Sequence, residues 1–187
     1  MISTVSPRQD FPPMAGTSLL SRLLGNRADD HAGVRPLWHA LVEQARHKDW
    51  YARHGIADTL AGRFDAITLV LSLVLLRMEH EETLKTHCAL LTELFVTDMD
   101  GQLREAGVGD VVVGKHIGRL MGVLGGRLGA YRTALEDAED GQLAAALTRN
   151  ITLSPGADVA ALAQATRALF TRLQAQDAPT LLAGNIA

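Results

Sequence analysis

From Ala66 to Leu76 the chain carries no charged residue, and Asp65 and Arg77 close the two ends of the run. Its leucine content and length read as a helix of about four turns rather than a buried strand. Asp65 reads as the N-cap, because a carboxylate there accepts from the free N–H groups of a first turn; Arg77 falls where a helix C-terminus favours positive charge. A bilayer span takes roughly 20 apolar residues, and this run is far shorter. It is therefore apolar all round because protein surrounds it. The sequence predicts an all-α, single-domain helical bundle packed around a buried central helix at about 65–80.

The rest of the chain has to supply that surrounding. With 187 residues, 47% of them hydrophobic, it is long enough for one domain with a sizeable core. Eighteen basic against 21 acidic residues leave a net charge of −3, so no general field draws the protein to nucleic acid. The single cysteine, Cys88, excludes an internal disulfide and suits a reducing compartment. The N-terminal stretch has no apolar core of the secretory kind, and a cytoplasmic location is expected.

Residues 1–33 read as a flexible arm, with Pro7, Pro12 and Pro13 and few apolar groups before Ser18. Ser18 to Leu24 has the pattern of a short amphipathic helix, which either packs on the domain or touches a membrane or partner. A helical domain is expected over 34–176. Pro36 fits the first turn of a helix that ends near His47; Asp49 then caps a second, Trp50 to His54, terminated by Gly55. Trp38, Trp50 and Tyr51 form a dense local group in a chain that is only 4% aromatic. Two readings stand: the rings fasten the short helices onto the central helix, or they make a contact site, since interfaces favour Trp and Tyr.

After a charged turn at Met78–Lys85, helical spacing carries Leu84, Cys88, Leu91, Phe95 and Met99 towards Ala106, and Gly107 and Gly109 stop the helix. Asp110 to Ala138 then combines an apolar stripe with Gly114, Gly118, Gly122 and Gly126 at every fourth position, joined by Gly125 and Gly129. Each glycine costs roughly 0.8–1.0 kcal/mol against alanine in a helix interior. Three accounts are open. The glycines admit close approach of another helix of this chain, such as the central one; they line a groove for another polypeptide, flanked by Lys115 and Arg119; or the helix breaks at Gly125-Gly126. A short helix at Gly141–Ile151 follows, then a turn at Pro155-Gly156 and a last amphipathic helix capped by Asp158. Residues 177–187 read as a loose tail.

Chemistry is sparse. His39, His47 and His54 are separated by helix junctions, and His80, His87 and Cys88 form no paired-ligand spacing. Asp98-Met99-Asp100-Gly101 has its glycine two positions too early for a calcium loop. No strand precedes a glycine-rich phosphate loop, and no triad or acid–base pair is signalled. The expectation is a protein without catalytic residues, metal or cofactor.

Asp58-Thr59, Phe64, Ile67-Thr68-Leu69 and Arg77-Met78 occur in an order and spacing that resemble the opening of the ubiquinol–cytochrome c chaperone family, the assembly factors of respiratory complex III. The similarity runs from Trp38 to Asn150, through Cys88, Asp98, Gly107-Val108, the Gly114–Ile117 segment, Lys115 to Tyr131, Gly141–Leu147 and Arg149-Asn150. The resemblance implies a non-enzymatic chaperone that binds newly made cytochrome b, or a complex III assembly intermediate, and promotes its assembly. It also implies work at the inner membrane, here as a bacterial member contacting the cytoplasmic face peripherally, since the N-terminus lacks the character of a transit peptide. The candidate client-binding residues are Trp50, Tyr51, Gly114, Lys115, Gly118, Arg119 and Gly122. A helical scaffold binding a soluble partner through Trp38, Trp50 and Tyr51 is the alternative.

Overall fold

The computed structural model describes residues 30–105 and 110–186, and the side chains among them except those of 102–117. Residues 1–29 of the expected arm, with the expected Ser18–Leu24 helix, lie outside the described residues. The elements are α1 (Arg35–Ala45), α2 (Asp49–Ala52), α3 (Leu60–Glu79), a 3-10 turn at Glu82–Leu84, α4 (Lys85–Glu105), α5 (Asp110–Glu136), α6 (Asp140–Asn150), α7 (Val159–Ala175) and α8 (Ala178–Leu182). Among the described residues there is no strand, only an isolated antiparallel bridge between Ile56 and Leu153. The fold is all-α.

Helix α3 is the centre. Every residue from Asp65 to Leu76 is buried, and α1, α4, α5 and α7 all pack against it. Its two interior hydroxyls turn back to their own helix: Ser72 Oγ donates to the Thr68 carbonyl at 2.6 Å, and Thr68 Oγ1 donates to that of Asp65 at 3.0 Å. Both hydroxyl donors are thereby satisfied within the helix.

The helix begins earlier than its apolar run, and this corrects the expected start at Asp65. Thr59 is the N-cap, its Oγ1 accepting from Gly62 N at 3.2 Å. The first turn carries exposed Leu60 and Ala61 and lies beyond the core, so hydrophobic patterning does not register it. Gly62 is needed there: a Cβ at this position would fall 1.9 Å from the Ala57 carbonyl oxygen. Asp65 sits one turn inside the helix, 6% exposed, and serves a different purpose described below. Asp49 likewise lies within α2 rather than capping it, while Gly55 ends this segment at φ 75°, a backbone state that favours glycine.

Helix α5 runs without a break through Gly125-Gly126. It packs against α3, α4 and α6 through Leu124, Arg127, Tyr131 and Ala134, all buried. Asp158 caps α7 by accepting from Ala161 N at 3.0 Å, as the sequence suggests.

The C-terminal residues are not a loose tail. Asp177 accepts from Thr180 N at 2.8 Å and Pro179 stands in the first turn of α8. Leu181 and Ile186 are buried, and Gly184, at φ 88°, passes so close to α1 that a Cβ would lie 2.8 Å from the Pro36 carbonyl oxygen. An Asp-x-Pro start is a capping signal that the small, weakly periodic residues around it obscure. Arg77 adds a tie, donating from Nη2 to the Gln176 carbonyl at 2.7 Å.

Candidate functional site

A cleft of about 1200 Å³ opens between the α1–α2 turn, the N-terminal half of α3, Met99 of α4 and one side of α5. Its apolar surface comes from Leu60, Phe64, Ile67, Met99, Leu120 and Val123. Leu60 is 85% exposed and adds its apolar surface to that of the cleft.

Five cationic side chains line the same cleft, Arg46, Lys48, Arg63, Arg119 and Arg127, against two carboxylates, Asp58 and Asp65. Each carboxylate is already taken by one of the five. Arg63 Nε donates to Asp58 Oδ1 at 2.7 Å, a bond that holds the Asp58 carboxyl below its ordinary range and raises Arg63 in turn. Arg127 Nη2 donates to Asp65 Oδ1 at 2.5 Å in the buried wall. Arg46, Lys48 and Arg119 are exposed and make no ion pair with any described residue. A chain with net charge −3 thus presents a locally positive concavity.

The buried wall is held by a polar cluster around Asp65. Besides Arg127, its other oxygen, Oδ2, accepts from Thr152 N at 2.8 Å and from Thr152 Oγ1 at 2.7 Å. Arg127 Nη1 donates to Thr68 Oγ1, and its guanidinium lies 5.7 Å from the centroid of the Phe64 ring. Three segments, α3, α5 and the loop after α6, are therefore locked at one point. Tyr131, one turn along from Arg127, is buried with its hydroxyl pushed well above the ordinary tyrosine range by desolvation.

The residues singled out in the sequence fall in three places. Tyr51 lines the cleft, half-buried, its hydroxyl donating to the Ala45 carbonyl at 2.8 Å and its pKa raised, chiefly by burial. Arg119 lines it too. Trp50 does not: it is 4% exposed and its Nε1 donates to the Gln44 carbonyl at 2.9 Å, so it fastens α2 to α1. Trp38 is also buried, edge-on to Phe95 with ring centroids 6.3 Å apart. The tryptophans belong to the packing reading. Gly114 and Lys115 lie in α5, outside the described side chains.

Gly118 and Gly122 are on the exposed side of α5, and the idea that the glycines receive the central helix is corrected. At about 100° per residue the glycines project roughly opposite Leu124, Arg127 and Tyr131, the side that meets α3. Among the described residues, a Cβ at Gly118, Gly122, Gly125, Gly126 or Gly129 would meet nothing within 4 Å. Arg119 stands between this open face and the cleft.

Of the cleft's other components, Asp58, Phe64 and Ile67 enter the sequence reading only through the family resemblance, Asp65 as a cap and Met99 as part of a helix stripe. Leu60 could have been noticed as an isolated leucine ahead of the central run, and Arg46-His47-Lys48 as a basic step beside Tyr51. Leu120 and Val123 carried no signal beyond membership of a helix stripe. Among the described residues no three His, Cys, Asp or Glu side chains are grouped to hold a metal ion. Cys88 is half-buried, its thiol pKa raised, mainly by desolvation, which keeps it from acting as a ready nucleophile.

Comparison with known proteins gives two matches. The family model described as ubiquinol-cytochrome C chaperone matches residues 52–187. The fold is similar to the crystal structure of the Cbp3 homologue from Brucella abortus, with a TM-score of 0.73 and 31% sequence identity, covering 90% of this chain and 96% of that one. No curated protein matches the chain.

Proposed function

The chain belongs to the ubiquinol–cytochrome c chaperone family, and from that premise we propose that it binds newly made cytochrome b and promotes its assembly into the ubiquinol–cytochrome c reductase complex. The observation that carries this reading is the family match over 52–187, which takes in α3 to α8 and the parts of the cleft that α3, α4 and α5 supply. A chaperone of this kind works by binding and release. It needs an apolar surface for its client and a rim that keeps that surface selective, not a catalytic group.

The proposed place of work is the cytoplasmic face of the inner membrane, with peripheral contact only. Among the described residues no helix is long and apolar enough to cross a membrane. Of the residues proposed to meet the client, Tyr51 and Arg119 line the cleft and Gly118 and Gly122 stand on the open side of α5 next to Arg119. Burial of Trp38 and Trp50 weighs against a scaffold that binds a soluble partner through those rings.

Deleting the gene in its source bacterium and measuring complex III tests the proposal. The expected result is loss of the reduced-minus-oxidised haem b signal and of inhibitor-sensitive ubiquinol oxidation, with transcripts intact and both restored by the wild-type gene. Normal complex III in the deletion strain would overturn it.

A further inference from the structure

We infer that the cleft between the α1–α2 turn, α3 and α5 docks an apolar helical segment that carries carboxylates at its polar positions. The inference rests on the chaperone reading and adds the surface and the chemistry of what it accepts. Three observations set that chemistry.

First, Leu60, Phe64, Ile67, Met99, Leu120 and Val123 give the concave surface an apolar lining, and Leu60 stands exposed among them. Such a surface is covered only by a partner that brings apolar groups of its own. Second, the size suits a helix. A helix about 10 Å across would fill 1200 Å³ over about 15 Å, or roughly three turns. Third, the unpaired charge is all of one sign and comes from separate elements, Arg46 and Lys48 on the α1–α2 turn and Arg119 on α5. Asp58 and Asp65 are already committed to Arg63 and Arg127, so among the described residues lining the cleft no carboxylate is left to neutralise them. Cations spread over two elements fit carboxylates distributed along a polypeptide better than a single anionic headgroup. The chain's own Ser18–Leu24 segment brings Arg22 and no acid, and does not complement this rim.

The test uses the full-length protein and fluorescent synthetic helical peptides of about three turns. They share one Leu/Ala-rich sequence and carry two Glu, two Gln or two Lys at the same positions. Fluorescence anisotropy should show the Glu peptide binding at least about tenfold more tightly than the Lys peptide, with the difference shrinking as salt rises. The double variant Lys48→Glu/Arg119→Glu should reverse that preference, and Leu60→Asp should weaken all three peptides. These side chains are exposed, so circular dichroism and melting should match the wild type. Equal affinity for the three peptides, or no effect of charge reversal, would overturn the inference. So would binding of the wild type to phosphatidylglycerol-containing vesicles but not to the Glu peptide, which would make a lipid surface the occupant.

The deletion strain separates this inference from the reading it rests on. If the triple variant Lys48→Glu/Arg119→Glu/Leu60→Asp restores complex III fully, the cleft is not the docking site and the chaperone role stands. If the deletion strain never loses complex III, the chaperone role fails whatever the peptides do.

Discussion

Arg127 on α5 closes on Asp65 of α3 with Nη2 2.5 Å from Oδ1, and only 10% and 8% of the two side chains remain exposed. The pair does more than neutralise charge, because the same carboxylate holds Thr152 N and Oγ1. Removing one member of a buried pair leaves the other charged and desolvated, which costs roughly 3–5 kcal/mol. Arg127→Leu should therefore lower unfolding stability by about that amount, measured by urea denaturation. Asp65→Ala should cost at least as much, since it also orphans the Thr152 backbone N–H. The double variant Asp65→Ala/Arg127→Leu should cost less than the sum of the two, and full additivity of the two single effects would show that the pair is not coupled.

The two kinds of glycine in this chain predict opposite outcomes. Gly122 and Gly126 have open space where a Cβ would go, so alanine at each should stabilise the protein by about 0.8–1.0 kcal/mol through helix propensity alone. Gly62→Ala would drive a methyl into the Ala57 carbonyl and should destabilise it by about 1–3 kcal/mol. Thermal melts of the three variants decide the matter. If Gly122→Ala lowers the melting temperature, the open face is occupied in solution. Gly118→Leu/Gly122→Leu should leave a folded helical protein that no longer supports complex III assembly; collapse of the fold would return the glycines to an internal role.

These contrasts mark how far the sequence could be read. The buried central helix, the helix at Lys85–Glu105 and the Asp158 cap are legible because apolar periodicity and capping are local signals. The purpose of Asp65 is not. Its two partners, Arg127 and Thr152, are 62 and 87 residues away, and an aspartate before an apolar run has the local appearance of a cap. The glycine face fails for a related reason: periodicity says which residues share a side, while which side meets the core depends on the neighbouring helices. The cleft is the least legible part, since it joins residues from the α1–α2 turn, α3, α4 and α5 that share no pattern.

Tryptophan and tyrosine at neighbouring positions should also behave differently. Trp50 is buried and its indole N–H bridges α2 to α1, so Trp50→Ala should cost about 3–5 kcal/mol, in the range for large aromatic truncations. Tyr51→Phe removes only the hydroxyl bond to Ala45 and should cost about 0.5–1.5 kcal/mol. Chemical denaturation separates them. A small effect at Trp50 would mean that its ring contributes surface rather than core.

The C-terminal segment gives a prediction in pH as well as in stability. Leu181 is completely buried, so Leu181→Ala should cost about 2–5 kcal/mol even though it lies six residues before Ala187, after the last long helix. Asp177 starts α8, and hydrogen bonding from Thr180 holds its carboxyl below the ordinary value of 3.8. A carboxyl depressed in the folded state binds protons more weakly there than in the unfolded chain. Its contribution is therefore fully present above the ordinary carboxylate range and is lost as pH falls through the lowered folded value. Asp177→Ala should melt below the wild type at neutral pH, and the gap should narrow on acidification past about pH 4. A gap that stays constant down to the acid limit would mean that the carboxylate charge does not hold this cap, leaving Pro179 and the burial of Leu181 to fix the segment against α1.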